Sequence, residues 1–185
     1  MTIMHELKPD RTEMNRSTTV LIQSDSQLSL CSMVENDMEF LRHLYRTTRD
    51  DIDQLNLPDK MRAQILDQQF EAQHAHYLNI FPNAKRDIVL SGYTQVGRLY
   101  VQYGFTGIQV IDITILPAFR NSGIGTAVMR GVLDRSRLEK VPVRLRVIPG
   151  SPAVRWYTRM GFRKIADEQS HWQMEWDSSE RGATQ

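Results

Sequence analysis

Apolar residues along this chain recur at two spacings, three to four apart in some stretches and alternating in others. The stretch "ENDMEFLRHLYRTTRD" sets Met38, Leu41, Leu44 and Tyr45 at helical spacing behind Asn36 or Asp37 as a cap, and predicts a first helix. After Pro58 a longer run of helix formers carries Met61, Ile65, Phe70 and Tyr77 and is stopped by Pro82, which predicts a second. The pattern then changes. "RDIVLSGY", "QVGRLYVQYG" and "GIQVIDITIL" are rich in Val, Ile and Tyr and are divided by Gly and polar turn residues, so they read as three strands pairing antiparallel. Ile124, Ala127, Val128, Gly131 and Val132 form one stripe of a further helix. "VPVRLRVI" alternates, and as a strand following a helix it should run parallel to the strand before it. "SPAVRWYTRM" has Ser151 at the N-cap, Pro152 at the first helical position and Gly161 past the end. With "QLSLCSM" as an opening strand and "FRKIAD" and "SHWQMEW" as closing ones, the order is β α α β β β α β α β β.

Residues 1–26 have little periodicity and many Thr, Ser, Asp, Glu and Arg, and are read as a mobile arm. A single domain should occupy 27–178, followed by a tail at 179–185, because 185 residues suit one core better than two. No apolar run approaches the ~20 residues of a membrane helix, and Met1 to Gln27 lacks the apolar centre and cleavage site of a secretory signal. The expectation is a cytoplasmic protein with no membrane partner. The lone Cys31 is read as a core filler and excludes an internal disulfide and a multi-cysteine zinc site. His74 and His76 stand two apart on a predicted helix and face different ways, so no metal site is expected.

Net charge is +1 but unevenly spread: residues 1–95 carry 10 Lys and Arg against 14 Asp and Glu, and residues 96–185 carry 13 against 8. The basic half suits a small anionic ligand. It does not suit nucleic acid, because its basic residues form no continuous run and no nucleic-acid motif accompanies them.

That half contains Arg120-Asn121-Ser122-Gly123-Ile124-Gly125-Thr126 at the start of a predicted helix. Such a terminus presents unpaired N–H groups and the positive end of the helix dipole, a setting for phosphate. Gly123 and Gly125 would let a diphosphate come close to the backbone. The P-loop pattern fails here for want of its Lys-Ser/Thr pair, and the dinucleotide fingerprint fails on Val128. The turn resembles instead the R/Q-x-x-G-x-G/A signature of the GNAT superfamily of N-acetyltransferases. Leu145, Val147, Ala153, Tyr157, Gly161 and Phe162 in "LRVIPGSPAVRWYTRMGF" resemble its second signature.

The resemblance covers about residues 28–176. It implies the GNAT acyl-CoA N-acyltransferase fold: an α/β (α+β) domain with a mixed, mostly antiparallel central sheet and helices on both faces. It also implies acetyl-CoA as cosubstrate, an amine acceptor, and direct attack in a ternary complex. Ile113 and Ile115 then lie where the family's strand offers backbone groups to the pantetheine arm, and Arg120 to Thr126 where it holds the pyrophosphate. Tyr157 stands as general acid for the leaving thiolate. Ser151 replaces the Asn that usually bonds the pantetheine.

A lysine-like amine is mostly protonated at pH 7, and freeing it costs about 4.6 kcal/mol, so a base is needed. Many relatives keep a Glu on the strand before the second signature, where this chain has "RLRV". Asp112, flanked by Ile111 and Ile113, is the first substitute, with a structural hydrogen bond as its alternative role. Glu71, His74 and His76 are weaker ones, and Gln69, Phe70 and Gln73 are candidates for lining the acceptor site. The acidic first half points to a cationic acceptor. Trp156, Trp172 and Trp176 are read as packing or dimer-contact residues, which keeps a homodimer open. Two other functions stay open: a catalytically silent acyl-CoA-binding module, and transfer of a longer acyl group.

Overall fold

The computed structural model describes residues 18–23 and 26–177. The elements are β1 (Thr18–Gln23), β2 (Ser26–Ser32), α1 (Met38–Arg46), α2 (Asp50–Asp53), α3 (Asp59–Ile80), β3 (Lys85–Ser91), β4 (Thr94–Gly104), β5 (Gly107–Ile115), α4 (Ile124–Glu139), β6 (Val143–Val147), α5 (Pro152–Arg159), β7 (Arg163–Glu168) and β8 (His171–Trp176). Among the described residues they form an eight-stranded sheet in the order β1-β2-β3-β4-β5-β6-β8-β7. Every junction is antiparallel except β5 to β6, where α4 makes the crossover.

Successive strand residues feed opposite faces. On β2 Leu30 and Cys31, and on β3 Val89 and Ile88, fall into two separate cores. The larger gathers Leu99, Val101, Ile108 and Val110 under α4, with Val143, Leu145 and Val147 of β6 and Tyr157 of α5. The smaller packs Leu41, Tyr45, Ile52, Leu66 and Phe70 from α1, α2 and α3 against Cys31 and Ile88.

Three features differ from the sequence expectation. The arm expected to run to residue 26 contains β1, which pairs with β2 from Thr18 opposite Cys31 to Gln23 opposite Ser26; its "TTVLIQ" has the β-branched content of a strand amid polar neighbours. Residues 1–17 and the expected tail at 179–185 lie outside the described residues. A four-residue helix, α2, sits between the two predicted ones. Met61, assigned to the buried stripe of α3, is exposed, and Leu66 and Phe70 carry that contact. No helix among the described residues is long and apolar enough to cross a membrane.

Candidate functional site

β5 and β6 pair only from Ile108 opposite Val143 to Val110 opposite Leu145. Past that point β5 gains an extra residue against β4: Val101 faces Val110 and Tyr100 faces Asp112, leaving Ile111 as a bulge. A bulge bends its strand and strengthens the local twist, and here it coincides with the parting of the two strands. Leu116 N–H bonds Val96 O across to β4 at 2.9 Å. By strand alternation, the N–H and C=O of Ile113 and Ile115 therefore point the other way, into the gap. Arg120 Nε takes the Ile115 carbonyl at 2.9 Å, and the remaining groups face the opening.

At the mouth of this gap α4 begins. Gly123 is its N-cap with φ 87°, a left-handed conformation that glycine accepts without steric cost. Ala127 N–H to Gly123 O, at 2.9 Å, closes the first helical turn, so the N–H groups of Ile124, Gly125 and Thr126 precede any intrahelical acceptor. The side chains nearby are occupied elsewhere. Ser122 Oγ donates to Phe119 O at 2.6 Å, and Thr126 Oγ1 accepts Trp156 Nε1–H at 3.2 Å. Arg120 reaches Ile115 O and, at 3.4 Å, Thr47 O, tying the turn to the end of α1. Asn121 is itself left-handed, at φ 61°. The cradle is therefore main chain. A Cβ at Gly125 would meet the Trp156 ring at an ordinary 3.6 Å, so Gly123 is the glycine that the geometry requires.

Tyr157 is held in place by the way α5 ends. Gly161 takes φ 97°, its N–H bonds Thr158 O and the Phe162 N–H bonds Tyr157 O, both at 3.0 Å, which is the Schellman arrangement. Phe162 then lies edge-on to Tyr157 with ring centroids 5.5 Å apart, the apolar contact that accompanies this motif. The Gly-Phe pair of the sequence signature is thus the clamp that fixes the tyrosine ring. Tyr157 is 7% exposed, and its hydroxyl makes no hydrogen bond among the described residues. Burial, and then the negative charge of Asp112, push its pKa well above the usual tyrosine value, so the phenol holds its proton. Ser151 stands at the N-cap of α5 as expected, but it makes no capping bond, and its Oγ is buried without a partner.

Asp112 projects to the α3 side of the sheet into a polar cluster. Arg98 Nη2 donates to its Oδ2 at 2.6 Å, Tyr77 donates to the same oxygen at 3.3 Å, and Thr114 Oγ1 donates to Oδ1 at 2.8 Å. Arg98, 3% exposed, also bonds Gln73 Oε1 at 2.9 Å and lies over the Tyr100 ring at 5.2 Å. Asp112 is therefore not a free carboxylate. Proton uptake there would leave a buried guanidinium without its counter-charge.

Among the residues expected to line the acceptor site, Phe70 is 1% exposed and belongs to the core, stacked on His74 and tilted against Tyr45, because α3 turns that face onto the sheet. Gln69 is engaged by Arg49 and Tyr45, and Gln73 by Arg98. Glu71 pairs with Arg42, Asp67 with Arg46 and Asp51 with Arg49, a ladder joining α1 and its following turn to α3 and α2. Three acids of the acidic first half, Glu71, Asp67 and Asp51, are thus partnered by arginines. Burial pushes the His74 pKa down, and His76 packs against the Tyr77 ring. The tryptophans read as packing or dimer-contact residues pack within the chain: Trp176 is core, Trp156 closes against α4, and Trp172 lies under Lys164.

Sequence reasoning missed Arg98, Tyr77 and Thr114. The signal was present: one Arg inside the apolar run "GRLYV" and one Asp inside "VIDITI", opposite charges on strands predicted to pair. No group of three or more His, Cys, Asp or Glu suited to a metal ion occurs among the described residues.

Several solved structures share this architecture. The PaiA N-acetyltransferase of Thermoplasma acidophilum, in complex with coenzyme A, has a TM-score of 0.62 at 12% identity, over 81% of this chain and 98% of its own. Arabidopsis thaliana Naa50 with the bisubstrate analogue CoA-Ac-MVNAL has 0.55 at 14%, over 81% and 98%. A spermidine N-acetyltransferase SpeG chimera of Vibrio cholerae and hSSAT has 0.58 at 18%, over 85% and 99%. These likenesses establish the shared fold. No curated protein matches the sequence. The model of the acetyltransferase (GNAT) family does, over residues 38–162, from the start of α1 through the clamp at Phe162, and the chain belongs to that family.

Proposed function

We propose that the protein transfers an acetyl group from acetyl-CoA to a primary amine, by direct attack in a ternary complex. The observation that supports this reading is the main-chain cradle at Gly123, set where β5 and β6 have parted, together with a buried Tyr157 hydroxyl that bonds nothing among the described residues and, through burial, keeps its proton. The residues present fit acetyl-CoA. Three first-turn N–H groups and the positive end of a 16-residue helix suit its pyrophosphate. The outward groups of Ile113 and Ile115 and the unpartnered buried Ser151 Oγ suit the amides of its pantetheine arm. Arg120 contributes by holding the turn.

In this reaction the amine nitrogen attacks the thioester carbonyl, the C–N bond forms and the C–S bond breaks. The ammonium form first gives one proton to solvent, and the nitrogen gives a second to solvent once the C–N bond has formed; the leaving thiolate takes the Tyr157 proton, and the Tyr157 phenolate regains one from solvent. Asp112, the base expected from sequence, serves in this reading as a fixed anchor, for the reason its partners give. β6 supplies no acid either: Arg146 stands there and pairs with Glu168 at 2.7 Å. The acceptor in this reading is a primary amine of a small molecule or a peptide.

The test is release of free thiol from acetyl-CoA over a panel of primary amines, with product mass measured. An acetylated amine and one equivalent of thiol are expected. Tight acetyl-CoA binding with no turnover would replace this reading with a silent binding module, and faster turnover with longer acyl-CoAs would replace the acetyl group.

A further inference from the structure

On the α3 face, the Arg98–Asp112 pair lies just past the point where β5 leaves β6, and the helix that reaches it is α3. Gln73 and Tyr77, one helical turn apart, both point at it. Their engagement is unequal. Arg98 Nη2 is held by Asp112 at 2.6 Å and Gln73 at 2.9 Å, whereas the Tyr77 hydroxyl meets Asp112 at 3.3 Å, long for an O–H···O bond. The ring itself is fixed, packed edge-on to Tyr100 at 6.1 Å. A hydroxyl on a fixed ring, donating loosely to a carboxylate that is already paired, presents its lone pairs away from that carboxylate. Hydrogen bonds of this kind lengthen in an empty site and tighten when substrate binds.

Burying an ion pair gives little net stability, so the cluster is weakly explained as a tie between α3 and the sheet. Asp112 also acts electrostatically on Tyr157 of α5. From this geometry we infer that Tyr77 is the residue that receives the acceptor: its hydroxyl, oriented by Asp112, accepts a hydrogen bond from the incoming amine N–H and aims the nitrogen at the gap. Arg98 is a positioning residue that acts through Asp112. The inference rests on the acetyltransferase reading and adds the acceptor-side contact to it.

The experiment is steady-state kinetics of Tyr77→Phe with an amine that the wild type acetylates, alongside calorimetric acetyl-CoA binding. Phe keeps the packing on Tyr100 and removes only the hydroxyl. The amine KM is expected to rise at least about tenfold, the size of one lost hydrogen bond, with acetyl-CoA affinity within about twofold of wild type. Arg98→Lys, which keeps the charge but loses the Gln73 fork, should show a smaller rise in the same constant. Unchanged amine kinetics in Tyr77→Phe, with wild type active, overturn the Tyr77 assignment alone. A wild type that acetylates no amine overturns the functional reading and this inference with it. Loss of acetyl-CoA binding in Tyr77→Phe overturns the inference too, since it would place the hydroxyl on the donor side.

Discussion

Replacing Gly123 by alanine tests the cofactor cradle in a way that separates strain from function. At φ 87° an L-residue pays roughly 1–2 kcal/mol to stay left-handed. For a chain of this size that lowers the melting temperature by about 2–8 °C. Gly92, in the β3–β4 turn, supplies the control: it too is left-handed, at φ 59°, and a Cβ there meets nothing within 4 Å. Gly92→Ala should cost about as much stability as Gly123→Ala. The two should differ in cofactor affinity. If the alanine in Gly123→Ala relaxes toward negative φ, the N–H groups of Ile124, Gly125 and Thr126 swing out of register with the anion they serve. A misaligned hydrogen bond to a charged group is worth about 1.5–3 kcal/mol, or roughly 10- to 150-fold in Kd. Calorimetric titration of acetyl-CoA into wild type and both variants reads this directly. Equal affinities in all three would refute the claim that the turn holds the cofactor; equal losses in both variants would show that strain anywhere weakens binding.

Tyr157→Phe should lower kcat by about 10²–10⁴ while leaving acetyl-CoA affinity and melting temperature unchanged, since the hydroxyl bonds no protein group among the described residues; an active variant in a thiol-release assay removes Tyr157 from the acid role. Asp112→Asn should destabilise by about 3–5 kcal/mol, because Arg98 then keeps its charge in the core unpaired, and Arg98→Met with Asp112→Leu should restore much of the loss; urea unfolding decides, and a near-neutral single variant contradicts the argument. Burial raises the pKa of Tyr77, Tyr100, Tyr103 and Tyr157 above that of an unfolded tyrosine, near 10. A folded-state pKa raised in this way contributes stability that is complete below about pH 10 and is lost as pH rises towards the folded values, and a melting temperature that stays level from about pH 10 to 11 would contradict this.

Much of the fold could be read from spacing. The hairpins of β3, β4 and β5, the parallel return of β6 and the caps of α5 each follow from alternation, length or a named terminal residue, and each is found where the pattern sets it. β1 was hidden because its short β-branched run is surrounded by polar residues, and strand pairing is a property of two segments. The donor side was legible because it is local: a turn, a helix start, and a tyrosine four residues before a glycine. The cluster proposed for the acceptor side was not, since Arg98, Asp112 and Tyr77 come from β4, β5 and α3 and meet only through the sheet. Phe70 shows the converse error, an aromatic assigned to a site by its polar neighbours when its helical phase turned it inward.

The bulge at Ile111 has a cost beyond the bend it makes. A sheet ordinarily has two outer borders, here β1 and β7, and β7 is guarded in the usual way by Arg163, Lys164, Asp167 and Glu168. Where β5 and β6 separate, the sheet acquires two more borders inside the molecule, with backbone donors and acceptors that no neighbouring strand takes up. Charged guards cannot stand there without blocking entry. If the proposed cofactor lies between these borders, binding it should lower self-association as well as unfolding.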